Sequence, residues 1–177
     1  ITTEQAVEFV EKSGSNVAAT ITPHHLRINR NAMFAGGFRS DFYCLPVAKR
    51  ERHRLALRRA ATSGKACFFL GTDSAPHTRA AKENSCGCAG IFNAPNALES
   101  YVEVFEEEGA LDNFEAFASE HGPAFYGLPL NTSSLTIVKK PQVVPTFFEV
   151  VNEAHSIEKI LPFHAGETLS WSIELDQ

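Results

Sequence analysis

Apolar and polar positions change period several times along the chain, and each change marks an element. After Thr2-Thr3-Glu4-Gln5, a capping box with Thr2 as N-cap and Gln5 reaching back, Ala6, Val7, Phe9 and Val10 follow at helical spacing, and Ser13-Gly14 stops the helix. Val17-Ala18-Ala19-Thr20-Ile21 is a short apolar run, as expected of a strand buried on both faces, and it delivers His24 and His25 past Thr22-Pro23. Phe42 to Val47 and Ala66 to Gly71 repeat that pattern on either side of a helix from Lys49 to Ser63, which Gly64 ends. The order helix, strand, loop, strand, helix, strand predicts a parallel sheet in an α/β protein.

Beyond the third run a loop rich in Gly, Cys, Ser and Asn extends from Asp73 to Asn96, followed by helical patterns at about Ala97 to Glu107 and Leu111 to His121. The first carries Leu98, Tyr101, Val102 and Phe105 on one stripe and acids at Glu103 and Glu106 to Glu108, which predicts a surface helix packed by one face. Ser134 to Val138 and Phe147 to Val151 read as short strands or turns interrupted by Pro141 and Pro145, and Glu167 to Leu175 as a terminal strand through Trp171. Three parallel strands with so few helices do not close a core alone. Further strands are therefore expected on the N-terminal side, and the chain reads as incomplete.

Composition narrows the function classes. With 44% hydrophobic and 21% charged residues, a packed core is within reach and wholesale disorder is excluded. A formal net charge of -5 offers no footprint for nucleic acid, and the one basic cluster, Lys49 to Arg54, is broken by Glu51 and reads as a solvated helix face. No run approaches the ~18 to 20 apolar residues of a membrane span, and no signal-like N-terminal segment is present. Cys44, Cys67, Cys86 and Cys88 do not resemble a disulfide framework, and Cys86-Gly87-Cys88 is a poor spacing for an unstrained bridge, so reduced thiols and a cytoplasmic setting are expected.

The chemistry concentrates in Leu70-Gly71-Thr72-Asp73-Ser74-Ala75-Pro76-His77. An aspartate directly after a buried strand lies at the C-terminal edge of the sheet, where α/β folds place active sites, and the Ser-Ala-Pro turn can return His77 over the same mouth. From spacing alone, Asp73 as the cap of a following helix and His77 as a surface residue is an equally weighted reading. His24-His25 could bind metal, but a structural role is favoured; Cys86-x-Cys88 is a weak zinc clip and a better pocket-lining loop. Asn29-Arg30-Asn31 and Arg39 read as polar loop residues supporting the mouth. His53, His121, His155 and His164 have no partner legible in the sequence.

Five strings occur in one order across nearly the whole chain: Thr20-Ile21-Thr22-Pro23-His24-His25-Leu26, Cys44-Leu45-Pro46, Leu70 to His77, Ser85-Cys86-Gly87-Cys88-Ala89-Gly90 and Phe163-His164-Ala165-Gly166-Glu167-Thr168. Together they resemble the dihydroorotases of the homodimeric bacterial type, in the amidohydrolase superfamily. The resemblance implies that residues 1–177 are the C-terminal portion of one (β/α)8 TIM barrel domain, with about three barrel strands, helices and a tail. It implies two Zn²⁺ ions, reversible cyclisation of N-carbamoyl-L-aspartate to L-dihydroorotate in pyrimidine biosynthesis, and a homodimer.

Of the family's metal set only the aspartate maps here, onto Asp73, which would ligate zinc and act as general acid/base, carrying a proton between the attacking water and the leaving nitrogen. His77 and the Ala89 backbone would contact the substrate carboxylate, and the Leu45 backbone the ring amide edge; small residues around Ala89 let main-chain N–H groups approach an anion. Two alternatives stand beside this reading: another cyclic-amide hydrolase of the hydantoinase or allantoinase kind, and a non-catalytic barrel fragment that needs a partner half. A (β/α)8 domain typically needs ~250 residues. The isolated polypeptide is therefore expected neither to bind two zincs nor to turn over substrate.

Overall fold

The computed structural model describes residues 1–151 and 154–174. Helix α1 (Glu4–Lys12) begins one residue later than its sequence pattern suggests: the N-cap is Thr3, not Thr2, and Thr3 Oγ1 accepts the Ala6 N–H at 3.1 Å. Strand β1 (Ala19–Ile21), the short helix α2 (Pro23–Arg27), helix α3 (Glu51–Ala61) and strand β2 (Phe68–Leu70) follow. β1 and β2 pair in parallel, with Ala19 opposite Phe68, Thr20 opposite Phe69 and Ile21 opposite Leu70. The crossover between them carries α2 and α3, as a parallel pair requires.

The expected strand at Phe42–Val47 does not form. Ser40–Phe42 makes a single 3₁₀ turn, and Tyr43 to Val47 runs outside any sheet. The outer runs pair directly with each other and leave no place between them, while Pro46 lacks the N–H a ladder needs. The apolar character of the segment has another use: Phe42 and Cys44 are buried with Ile28, Met33, Ile91 and Phe163 in a cluster of their own. Helix α2 went unread, although Thr22-Pro23 is its start signal; Thr22 Oγ1 accepts the His25 N–H at 3.3 Å and Pro23 takes a first-turn position.

The main core lies where α1, α3 and helix α5 (Ala97–Glu107) pack on β1 and β2. Phe68, Leu57, Tyr101 and Phe105 are fully buried there, and each such aliphatic or phenyl side chain contributes roughly 1.5–3 kcal/mol. Between β2 and α5 the chain makes the four-residue helix α4 (Arg79–Lys82) in the long polar loop. Helix α5 spans Ala97–Glu107, as its periodicity predicts, but it is not a surface helix: every residue from Glu99 to Phe105 is buried. Most of its acids are matched, while Glu99 accepts the Gln142 amide through one oxygen and leaves the other, Oε2, buried without a partner. Glu103 pairs with Arg27 at 3.0 Å, Glu107 with Arg27 and Arg58 at 2.9 and 2.8 Å, and Glu106 accepts the Trp171 indole N–H at 2.9 Å.

The pattern at Leu111 to His121 resolves into a 3₁₀ turn (Leu111–Asn113), a π-helical stretch (Ala116–Glu120) and helix α6 (His121–Tyr126). Pro123 is tolerated because it falls in the first turn of α6, where no N–H is needed. The remaining strands β3 (Thr136–Val138), β4 (Gln142–Val143), β5 (Phe148–Val151), β6 (Ile157–Ile160), β7 (Thr168–Leu169) and β8 (Ser172–Glu174) form antiparallel pairs: β3 with β8, β4 with β7, β5 with β6. The terminal strand expected at Glu167 to Leu175 is broken in two at Ser170-Trp171, because the Ser170 N–H turns to Glu103 at 2.5 Å; Leu175 lies outside the described residues.

Candidate active site

Asp73 lies three residues past β2, exposed, in the left-handed backbone region at φ 46°. A non-glycine residue there is uncommon, and short polar side chains tolerate it best. Its backbone is aimed from below. The buried Asn93 amide donates to the Thr72 carbonyl at 2.8 Å, and Ser74 Oγ accepts the N–H groups of Asn93 and Ala94 at 3.2 and 3.0 Å. The Tyr101 hydroxyl, buried in α5, donates to the Ile21 carbonyl at 2.6 Å and so holds the end of β1 beside it. Asp73 borders an open groove of about 320 Å³ together with Thr20, Thr22, His25, Pro46 and Gly71.

His77 and Ala89 are brought together on the neighbouring loops. Ser74 bridges Ile91 in parallel fashion, with the Ala75 N–H on the Ile91 carbonyl at 3.0 Å, and this lays residues 74–77 along residues 89–91. Gly90 is required at the contact. Its φ of 156° suits glycine, and a Cβ would sit 2.7 Å from Ala75 and 2.8 Å from the His77 ring. The Leu45 segment joins from the other side through the Gly90 N–H, which donates to the Tyr43 carbonyl at 2.9 Å. Among the described residues neither the Leu45 nor the Ala89 N–H has an acceptor. Asp73 stands on a different groove from His77, which lines a small polar cavity with Asp41 and Lys82.

Lys82 is the residue that sequence reasoning missed. Its ammonium donates to three carbonyls, Tyr43 at 3.1 Å, Cys88 at 3.2 Å and Gly90 at 2.5 Å. Burial pushes its pKa below the ordinary lysine value, against the nearby Asp41, which raises it. No local pattern distinguishes this lysine from Arg79 three residues earlier; only the folded loops show it.

His24, His25 and Cys44 form a buried cluster whose ligand atoms lie within 4.8 Å of one another. As a metal site the set does not fit, because its donors are committed. The Thr22 hydroxyl meets His25 Nδ1 at 2.7 Å and His25 Nε2 meets the Pro46 carbonyl at 2.9 Å, while burial pushes the Cys44 thiol up to about 11. His24 Nδ1 accepts from Asn93 at 3.0 Å, and only its Nε2 is unpaired. Desolvation lowers the two histidines to about 3 and about 4, so both are neutral packing and hydrogen-bonding groups. The cluster ties the Leu45-Pro46 loop and the Thr72-Asp73 turn to the end of β1.

His53, His121 and His164 also gain partners. His164 sits between the Ser100 hydroxyl at 3.1 Å and the Glu167 carboxylate at 2.7 Å, and that hydrogen bond holds Glu167 below the usual carboxylate range. Phe163 beside it packs edge-on to His24 and Phe42, so the Phe163-to-Thr168 string is a plug behind the site. His53 accepts the Glu4 N–H at 3.1 Å, and His121 Nδ1 meets the Phe68 carbonyl at 3.1 Å. All four cysteines are free thiols, with Cys86 exposed, and Arg39 lies over the Phe42 ring while pairing with Asp41.

No family model matches the chain. Its sequence is 67% identical over 174 residues to a dihydroorotase of Synechococcus sp. (strain CC9902), an alignment that takes in 98% of this chain and 48% of the relative. Over nearly its whole length this chain is similar to one half of a dihydroorotase. A dihydroorotase of Novosphingobium aromaticivorans is 61% identical over 173 residues, with 98% of this chain and 49% of that one covered. The chain spans about half the length of the curated relatives it matches. Among solved structures, dihydroorotase in complex with 5-fluoroorotic acid from Saccharomyces cerevisiae is similar at a TM-score of 0.84 and 37% identity, over 98% of this chain and 50% of that one. The dihydroorotase of Campylobacter jejuni gives 0.84 and 32%, over 99% and 49%. Among the described residues no helix is long and apolar enough to cross a membrane.

Proposed function

We propose that this chain supplies part of the active site of a dihydroorotase, which interconverts N-carbamoyl-L-aspartate and L-dihydroorotate in pyrimidine biosynthesis. The observation that carries the reading is the 67% identity to a dihydroorotase across 98% of the chain, including every segment around Asp73, His77 and Ala89. Residues 1–177 belong, in this reading, to a single (β/α)8 barrel domain whose other strands come from the rest of the enzyme's length. A cytoplasmic homodimer follows from the same resemblance.

Asp73 fits one position of a zinc centre, as an exposed carboxylate with no hydrogen bond or ion pair among the described residues, at the end of a parallel strand. The neighbouring His25 has both ring nitrogens engaged, so the remaining ligands of a two-zinc centre belong to the other part of the enzyme. Zinc supplies Lewis-acid polarisation of the scissile carbonyl and a source of hydroxide at neutral pH. Asp73 moves the proton: it takes it as the oxygen adds to the ring amide and gives it to the departing nitrogen, and the roles reverse in ring closure. His77 and the Ala89 N–H hold the substrate carboxylate, and the Leu45 N–H meets the amide edge. That the yeast relative was crystallised with 5-fluoroorotic acid, an anion of the same ring type, agrees with such a pocket.

The test is zinc content and carbamoyl-aspartate cyclisation of the full-length enzyme containing this segment, beside the 177-residue polypeptide alone. Two zincs and turnover in the first are expected, and neither in the second. Preferred turnover of hydantoin over dihydroorotate would replace this reading with a hydantoinase.

A further inference from the structure

Lys82 hands one hydrogen to each of three carbonyls, and those carbonyls belong to the two segments that carry Leu45 and Ala89. Tyr43 lies two residues before Leu45, while Cys88 and Gly90 flank Ala89 on both sides. The Cys88 carbonyl shares its peptide plane with the Ala89 N–H, so the Lys82 bond sets the direction of that N–H, and the bond to the Gly90 carbonyl holds the peptide that follows Gly90. The Tyr43 carbonyl is shared: it also receives the Gly90 N–H at 2.9 Å, so the two segments are linked twice at one atom. The same lysine lines the small cavity that His77 borders.

We infer that Lys82 is a positioning residue for substrate binding, which locks the Leu45 and Ala89 backbones into a single anion- and amide-reading surface. This rests on the reading of Leu45 and Ala89 as substrate contacts. An ammonium suits the task because its three N–H bonds diverge from one small centre, whereas a guanidinium places its donors in a plane and cannot serve three converging carbonyls at these distances. Hydrogen bonds to a charged donor are among the stronger ones, and Lys82 has spent all three on the backbone. The residue never needs to touch the substrate; it sets the geometry of those that do.

The experiment compares Lys82→Met and Lys82→Arg with the wild type in the full-length enzyme, reading KM and kcat for dihydroorotate and hydrogen exchange in Tyr43–Leu45 and Cys88–Gly90. Lys82→Met is expected to raise KM by about 10- to 100-fold with a smaller change in kcat, since misplacement of binding groups by an ångström costs on this order. Exchange should rise in both segments together. Lys82→Arg, which keeps the charge and the fold if the Met variant does not, should raise KM by a smaller factor. A fall in kcat at constant KM, or unchanged exchange in either segment, overturns the proposal. Should the wild type fail to turn over dihydroorotate, the functional reading falls, and exchange in the two segments still decides whether Lys82 couples them.

Discussion

Asn93 and His24, 69 residues apart, meet in the interior at 3.0 Å, with Asn93 Nδ2 donating to His24 Nδ1 and, with its second hydrogen, to the Thr72 carbonyl at 2.8 Å. One amide thus joins the segment after β1 to the turn that presents Asp73. The Thr72 bond fixes which way the amide faces, and this in turn makes His24 Nδ1 an acceptor. Replacing Asn93 with Ala leaves both partners buried without a donor, which costs about 1–3 kcal/mol. Urea unfolding of Asn93→Ala should show that loss, and turnover should fall further than stability alone explains, because the Asp73 turn is released.

Asp73 has the opposite character. It is exposed and makes no hydrogen bond that the fold depends on, so Asp73→Asn should change stability by no more than about 0.5 kcal/mol. As the proton carrier it should lose on the order of 10² to 10⁴ in kcat. Circular dichroism, melting temperature and cyclisation rate on the same preparation check both halves. A near-normal rate would place the proton carrier elsewhere.

Gly90 tests the contact of the two loops. A methyl group at this position would meet Ala75 at 2.7 Å and the His77 ring at 2.8 Å, on a backbone that L side chains rarely adopt. Gly90→Ala should therefore push His77 off Ala89, cost roughly 1–3 kcal/mol and raise KM for the anionic substrate more than it lowers kcat. Steady-state kinetics with parallel thermal melts separate the two effects.

Stability should fall in mild acid. Burial lowers His24 to about 3 and His25 to about 4, from an ordinary value of 6.5, so the unfolded chain binds more protons than the folded one below pH 6.5. The stabilising difference is complete above pH 6.5 and is lost as pH falls towards the folded values, at about 1.4 kcal/mol per pH unit for each histidine. His24→Gln should flatten this dependence between pH 6.5 and 4. Equal slopes of urea midpoint against pH for variant and wild type would mean that His24 does not carry it.

How much was legible follows from how local each signal is. Helix α5 was read to the residue, because its boundaries rest on periodicity and on Gly109 just beyond; its burial was misread, because the arginines that neutralise its acids lie at Arg27 and Arg58, far away in sequence. The Phe42–Val47 run was apolar for a reason the pattern could not name. It packs against Ile91 and Phe163, and the direct β1–β2 pairing leaves it no place between those two strands.

The sequence by itself determined the α/β alternation, the placement of Asp73 behind a buried strand and the family likeness, since these are written in period, punctuation and contiguous strings. Only the tertiary structure decided that His24 and His25 are neutral and hydrogen-bonded, that His164 bridges Ser100 and Glu167, and that Lys82 draws the Leu45 and Ala89 segments together. The physical reason is that burial and hydrogen bonding over tens of residues depend on which surfaces the packed core brings into contact. No spacing rule along one chain carries that information.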